Sequence, residues 1–451
     1  MLSAWYEILF LVSLLSGTLT VAYFLANLFY GRRRSRRMAS RPGDPTRVTI
    51  VIPVHREDPS LFRRCLAAAA RQGAARVVVV GDGCDHPYRE LAREAGATFR
   101  RLSSRGGKKR ALALGLEEVE TPYVLFLDSD TILPPGGVME LLAEFQPGVG
   151  GVGANLRVSL DGRFSAYCAE FVERAREVVL RAMSSRGSVM LLDGACAMYP
   201  TDLIRPFVRS SAFLDLTIWG RPTPLGDDWL LTGHVLRQGL RVKKAYGVSA
   251  WTRAPPTLGG FVKQNVRWAR SGWIRFGRDL RDGTLRRAGS FFAFEMVATY
   301  LLPLVSLTAF AVRIPFLHRP QDWFASPLSP FLAGALGLRS WPTHAPWALV
   351  LRGVVQGVEL LAVAGFVLTV VRNLREEKWK VALGGLVATP VLFAATLYGL
   401  FTVWRVPEWR NAPAPVGMRL APRAQHGGMG PFPIPERPEP SSLPAHARGE
   451  P

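Results

Sequence analysis

Residues 122–136 read PYVLFLDSDTILPPG. A proline closes the apolar run YVLFL on one side, and an Asp-Ser-Asp triplet with two further prolines closes it on the other. A short run that is apolar at every position must be buried on both faces, as an interior parallel strand is, whereas a half-exposed strand alternates. Two upstream stretches repeat the grammar: RVTIVIPV (47–54) and ARVVVVGD (75–82) are β-branched, and each run is followed at once by polar or charged residues. PSLFRRCLAAAARQG (59–73), PYRELAREAG (87–96) and GGKKRALALGLEEV (106–119) lie between them, have helical periodicity, and stop at Gly or before Pro. Strand and helix alternate, so the pattern predicts a doubly wound α/β sheet with ligands at the carboxyl ends of its strands.

Working outward, the character of the chain changes at both ends. Residues 8–30 are charge-free and long enough to cross about 30 Å of hydrocarbon. A secretory signal places its cations before the apolar run. Here they follow it, in GRRRSRR (31–37), which reads instead as a membrane helix with its C-terminal end in the cytosol. Beyond about residue 289, the segments 291–311, 354–371 and 381–403 read as further spans, with 323–338 a short, Pro-containing fourth candidate. Without that fourth span, RNLREEKWK (372–380) is cytoplasmic and the tail faces outward; with it, the two exchange sides. The tail from residue 411 is rich in Pro, Gly and Arg and has no apolar periodicity.

Expected boundaries are an N-terminal span (1–31), a basic linker (32–47), an α/β domain (48–260), an interfacial helical region (261–289), a membrane bundle (290–404) and a terminal segment (405–451). With 451 residues, 56 Lys and Arg stand against 35 Asp and Glu, a formal charge of +21. A membrane surface and an anionic substrate account for that sign, and no zinc-finger spacing or aromatic RNA motif points to nucleic acid. Cys65, Cys84, Cys168 and Cys196 show no CxxC spacing and are expected as reduced, buried thiols.

The chemistry-bearing residues sit where strands end. Asp128 and Asp130 flank one small residue, a pair suited to a divalent cation that clamps a diphosphate; a bare D-x-D is equally a solvated turn. Asp82 follows β-branched residues and precedes Gly83, placed to accept from a uracil imide or simply to form an Asp-Gly turn. Two glycines precede Lys108 and Arg110 at a helix start, a phosphate-attracting arrangement if not merely a cationic helix end. Asp227 and Asp228 open another helix, one as a possible cap and the other as a general base. In KQNVRWARSGW (263–273), Lys263, Arg267 and Arg270 share a helical face.

VTIVIPVHRED, VVVVGDGCD, GGKKRALALGL, LDSDTILPPG, DGACAMYP, LGDDWLLT and QNVRW, in this order, resemble the membrane-integrated branch of glycosyltransferase family 2, the group of hyaluronan, chitin and cellulose synthases. The resemblance spans 48–278 and extends weakly to the last span. It implies a GT-A (Rossmann-like) cytosolic domain between an N-terminal transmembrane helix and a C-terminal bundle, a UDP-sugar donor, Mg2+ or Mn2+, and inverting transfer. It also implies roles. Val54, Glu57 and Asp82 match nucleoside-binding positions, and Lys108 and Arg110 fall in the donor-site segment. Asp128 and Asp130 match the metal-binding pair, Asp130 as the more direct ligand. Asp228 matches the base, beside Asp227, and Gln264, Arg267 and Trp268 match the Q-x-x-R-W signature of processive members. Arg270, Trp273 and Arg275 continue as an interfacial segment. Gly81, Pro200 and the partial Trp409–Arg410 match depart from the pattern.

The expected protein is an integral plasma-membrane enzyme of bacterial type. It polymerises a UDP-sugar into a β-linked polysaccharide and exports it past Gln356 and Glu359, with Glu295 near the start of another span. Its partners are the UDP-sugar, the growing chain or a glycolipid acceptor, and membrane lipid. The alternatives are single addition to a lipid and a degenerate membrane scaffold.

Overall fold

The computed structural model describes residues 2–32, 43–223, 226–311 and 346–405. The three apolar runs form β1 (Val48–Val54), β2 (Arg76–Asp82) and β4 (Tyr123–Leu127), with β3 (Thr98–Leu102) beside β2. The intervening helices are α2 (Pro59–Ala70), α3 (Tyr88–Glu94) and α4 (Lys108–Glu117). After α5 (Gly137–Ala143) come β5 (Val149–Val158), the long α6 (Phe164–Arg186) and β6 (Cys196–Pro200). The short α7 (Thr201–Val208), α8 (Ser211–Leu214) and a two-stranded hairpin, β7 (Thr217–Ile218) with β8 (Arg221–Pro222), then lead to α9 (Asp227–Arg237) and β9 (Arg241–Thr252).

The main sheet runs β3-β2-β1-β4-β6-β5-β9. Strands β1 to β4 are parallel, as the sequence predicts, while β6 inserts antiparallel to both β4 and β5, so the α/β sheet is mixed. Successive side chains point to opposite faces of a strand. Val51 and Val80 therefore pack with Leu112 and Leu116 of α4, whereas Ile50 and Ile52 pack with Phe62 and Leu66 of α2. Each such fully buried aliphatic contributes about 1.5–3 kcal/mol. The chain order reverses on either side of the β1/β4 pair, which opens a crevice at the carboxyl ends of those strands.

Helices α10 (Leu258–Arg281) and α11 (Thr284–Arg287) lead to α12 (Ser290–Ala311), and α13 (Pro346–Asn373) and α14 (Lys378–Phe401) follow. With α1 (Leu2–Gly31), these hold the expected spans. Among the described residues, Leu14–Gly31, Ser290–Thr308 and Lys378–Phe401 are long and apolar enough to cross a membrane. Helix α1 meets α12 through an Asn27–Glu295 hydrogen bond of 2.9 Å between two fully buried side chains, and meets α13 through Phe24 on Phe366. Glu295 therefore packs between helices, bonded to Asn27.

The turn between α13 and α14 rests on the α/β domain. The Tyr167 hydroxyl donates to Glu377 at 2.8 Å, and Leu374 is buried with Tyr167 and Val381. A fourth span at 323–338 would put 372–380 on the far side. The structure places that segment against the domain instead, because its apolar and acidic groups find partners on α6. Residues 323–338 themselves, and the tail from 406, lie outside the described residues.

Candidate active site

Strand β1 delivers Val54, buried, to the crevice, and the loop after it is tied down on both sides. Tyr88 donates its hydroxyl hydrogen to the Glu57 carbonyl at 2.7 Å, and His55 Nδ1 lies 2.7 Å from the Asp82 carbonyl. The Glu57 carboxylate turns towards the next strand end and accepts from Ser129 at 3.3 Å. Asp82 is buried, and its carboxylate accepts from the backbone N–H of Gly106 at 2.6 Å and of Gly107 at 3.0 Å. The glycine turn before α4 therefore already holds an anion, Asp82, in the place where the sequence suggests a phosphate.

Lys108, the first residue of α4, is the hub. Its ammonium lies 2.6 Å from Asp128 and 3.0 Å from Asp227, and donates to the Gly194 carbonyl at 3.2 Å. One cation thus joins the end of β4 to the start of α9. Gly194 permits this approach, since a Cβ there would sit 2.9 Å from the Lys108 nitrogen and 3.0 Å from an Asp227 oxygen. Burial opposes the Lys108 charge, but Asp128 and Asp227 outweigh it and hold the ammonium above its ordinary range. Asp128 is pushed up to about 6 by burial, against the pull of Lys108 and with Asp130 and Asp227 adding to the rise. Burial and then Glu57 raise Asp130.

Neither acid of the second pair caps α9. The cap position is Gly226, with φ 99°, and Asp227 and Asp228 are the first two helical residues, where the helix dipole favours negative charge. Asp228 accepts from the Trp229 N–H at 2.7 Å, and burial followed by Asp227 pushes its carboxyl up to about 6. Thr232 secures this turn, donating to the Asp228 carbonyl at 2.9 Å while accepting from the Leu192 N–H at 3.1 Å.

Helix α10 closes the site with one face. Trp229 of α9 donates to Ser271 at 3.1 Å, and Gln264, Arg267 and Trp268 lie one and two turns earlier on that side. Burial lowers Arg267, and Asp228, Asp227 and Asp128 pull it back, so this guanidinium sits in the field of the acids. Trp268 is 43% exposed at the rim.

The opposite face packs on α14. Arg270 donates to Thr402 at 3.0 Å and Trp273 to the Thr396 carbonyl at 2.8 Å. Arg275 is buried and ion-paired with Asp279 at 3.1 Å. Of the three residues expected at an interface, Arg270 and Trp273 thus bond to α14 and the residue that follows it, and Arg275 to Asp279.

Arg110 also departs from expectation. It pairs with Asp215 at 2.8 Å at the foot of the β7–β8 hairpin, away from the acids. Lys109, which no sequence signal marks, is buried and donates to the Thr223 carbonyl at 3.0 Å at the other foot. Asp193 is a second omission. It lies directly before Gly194 and is buried between Arg176, at 2.6 Å, and Lys244. DGACAMYP contains it, but its partners are distant in sequence.

Among the described residues no three His, Cys, Asp or Glu side chains converge on one point. Asp128 and Asp130 offer two carboxylates, enough for Mg2+ or Mn2+, which usually complete their shell with phosphate oxygens and water. The donor set fits such a cation.

The sequence model described as glycosyltransferase like family 2 matches residues 45–271. An N-acetylglucosaminyltransferase of Sinorhizobium fredii is 31% identical over 288 residues, covering 57% of this chain and 66% of the relative. One of Rhizobium leguminosarum bv. viciae is 29% identical, with 57% and 64% covered. This chain therefore spans a little under two thirds of the length of these curated relatives. Among solved structures, a mannosyltransferase from Pyrobaculum calidifontis in complex with GDP-Man and Mn2+ aligns at TM-score 0.51 and 20% identity, over 78% of this chain and 98% of that one, a likeness of fold.

Proposed function

This chain belongs to glycosyltransferase like family 2, whose model takes in about half of it, and on that premise we propose that it is a membrane-embedded, inverting transferase that builds a β-linked glycan from a UDP-sugar. The N-acetylglucosaminyltransferase relatives make UDP-N-acetylglucosamine the first donor to test. The observation that supports the reading most is the Lys108 clamp between Asp128 and Asp227, with Asp228 beside it held at a raised pKa.

In this reading Asp228 takes the proton from the acceptor hydroxyl. The freed oxygen attacks the anomeric carbon, and the bond from that carbon to the diphosphate breaks with its electron pair leaving on UDP. One in-line displacement inverts an α-linked donor into a β-linked product. Lys108 and Arg267 lie where negative charge grows on the leaving diphosphate. Asp130 and Asp128 would hold a divalent cation, which when bound supplies further charge neutralisation there. Val54, Glu57 and Asp82 border the nucleoside end of the crevice, and Gln264 and Trp268 border the acceptor.

Incubating the purified protein with single UDP-sugars, measuring UDP release and sizing the product tests the proposal. A ladder of β-linked oligomers is expected. A single addition would replace polymerisation by lipid or glycan capping, and an α-linked product by NMR would overturn inversion. We extend the proposal to residence in a plasma membrane, with the domain at 48–260 on its cytoplasmic side, and to export of the product. Glu359 is half-buried in α13 close to Gly17 of α1; secretion unchanged in Glu359→Leu would remove it from any export path.

A further inference from the structure

The β7–β8 hairpin has no role in the reading above, yet the site helix holds both of its feet. Lys108, Lys109 and Arg110 are consecutive. The first joins Asp128 to Asp227, the second donates to the Thr223 carbonyl, and the third pairs with Asp215. Thr223 also closes the base of the hairpin, its N–H donating to the Leu216 carbonyl at 2.9 Å. Asp227 follows Thr223 by four residues in the sequence. Any movement of the hairpin is therefore mechanically linked to the acids.

At its tip stand Trp219 and Gly220, with φ of 49° and 74°. A two-residue turn with both φ positive suits Asn, Asp and Gly, and Gly220 meets that demand. A tryptophan in this conformation is strained, and such strain clusters at functional sites. Trp219 is also 64% exposed, the most exposed large apolar side chain among the described residues of 43–289. Within 43–289 the only other exposed tryptophan among the described residues is Trp268, on the rim of the same site. Three residues of extended chain place the tip about 10 Å beyond Thr223.

We infer that Trp219 is an aromatic platform for the acceptor glycan, stacking against a pyranose ring one or more units behind the hydroxyl that is extended. This rests on the transferase reading. A β-linked pyranose turns axial C–H groups outward, and their partial positive charge matches the negative face of an indole ring. A lipid partner fits less well, because the hairpin is anchored to α4 rather than to a candidate span.

The test is titration of a β-1,4-linked N-acetylglucosamine tetrasaccharide, and separately of UDP, into the detergent-solubilised full chain and into Trp219→Asn, Trp219→Ala and Trp219→Phe. Asn tolerates positive φ, so Trp219→Asn keeps the turn and the fold. The tetrasaccharide Kd is expected to rise about tenfold in the Asn and Ala variants and about threefold or less in Phe, with the UDP Kd at the parent value. An unchanged tetrasaccharide Kd in Trp219→Asn overturns the proposal, as does weaker partitioning onto phosphatidylglycerol vesicles in place of weaker glycan binding. UDP release by the parent from UDP-N-acetylglucosamine is measured alongside. Its absence for every UDP-sugar defeats the transferase reading itself, whereas release with unaltered glycan binding defeats only the platform.

Discussion

Two carboxylates, Asp193, buried, and Asp228, half-buried, lie on either side of Gly194 and have opposite electrostatics. Burial works against the charge of Asp193, but Arg176 and Lys244 outweigh it and hold that carboxyl well below the usual range. Asp228 has a backbone N–H and another carboxylate for neighbours, and its carboxyl rises to about 6. Desolvation works against both charges, yet one carboxylate is a structural anion and the other a proton acceptor, and the count of cations at hand decides which. Around Asp228, Lys108 and Arg267 face Asp128, Asp130, Asp227 and Asp228, so acids outnumber bases where a cationic cofactor and a proton transfer are proposed.

Removing the reactive member should have the largest effect. Asp228→Asn is expected to lower turnover by about 10³-fold, in the range of a lost general base, while UDP affinity holds. Turnover within tenfold of the parent would transfer the base role elsewhere. Lys244→Met attacks the other carboxylate and should act on stability, by about 3–5 kcal/mol, because it strips a partner from a buried charge. Denaturant unfolding reads this, and a loss of UDP affinity at full folding would contradict the structural role.

The two regions also respond oppositely to pH. Asp128 and Asp228 are raised in the folded state, so their contribution to stability is complete below about pH 4, the unfolded value, and is lost as pH rises through about 6. Asp193 is depressed, so its contribution is present above about pH 4 and is lost only as pH falls through its low folded value. Melting temperature without divalent cation should therefore fall between pH 5 and pH 7.5, and Asp228→Asn should flatten that slope. An identical slope in the variant would dissociate it from this carboxyl. The smallest effect belongs to Arg270→Ala. It should cost about 1 kcal/mol by releasing Thr402, the residue that caps the end of α14, and leave turnover within about twofold, whereas a catalytic collapse would place Arg270 in the site with Arg267.

Much of the site was legible because its signals are local. A strand apolar at every position followed at once by Asp, as in YVLFLDSD, states both burial and the point where the chain reaches the crevice. LGDDWLLT marks the start of α9 in the same way. Where a charge finds its partner is not local. Arg110 and Lys108 both belong to the first turn of α4, yet one meets Asp215 and the other Asp128 and Asp227, and no spacing rule separates them. Nothing in ERAREVV of α6 distinguishes Arg174 from a solvated arginine, although it is fully buried with Glu170 and Glu177 as partners.

By itself, then, the sequence determined the parallel half of the sheet, the ends of its strands, the acids placed there and the apolar helices at either end. Each follows from periodicity and burial within ten or twenty residues. Only the tertiary structure decided that β6 enters antiparallel, that the 372–380 turn docks on α6, that Arg270 and Trp273 bond to the end of α14 and the residue after it, and which of two neighbouring carboxylates is neutralised. The reason is desolvation: the state of a buried charge depends on what the distant chain brings within about 3 Å of it, and that is a property of the packed molecule.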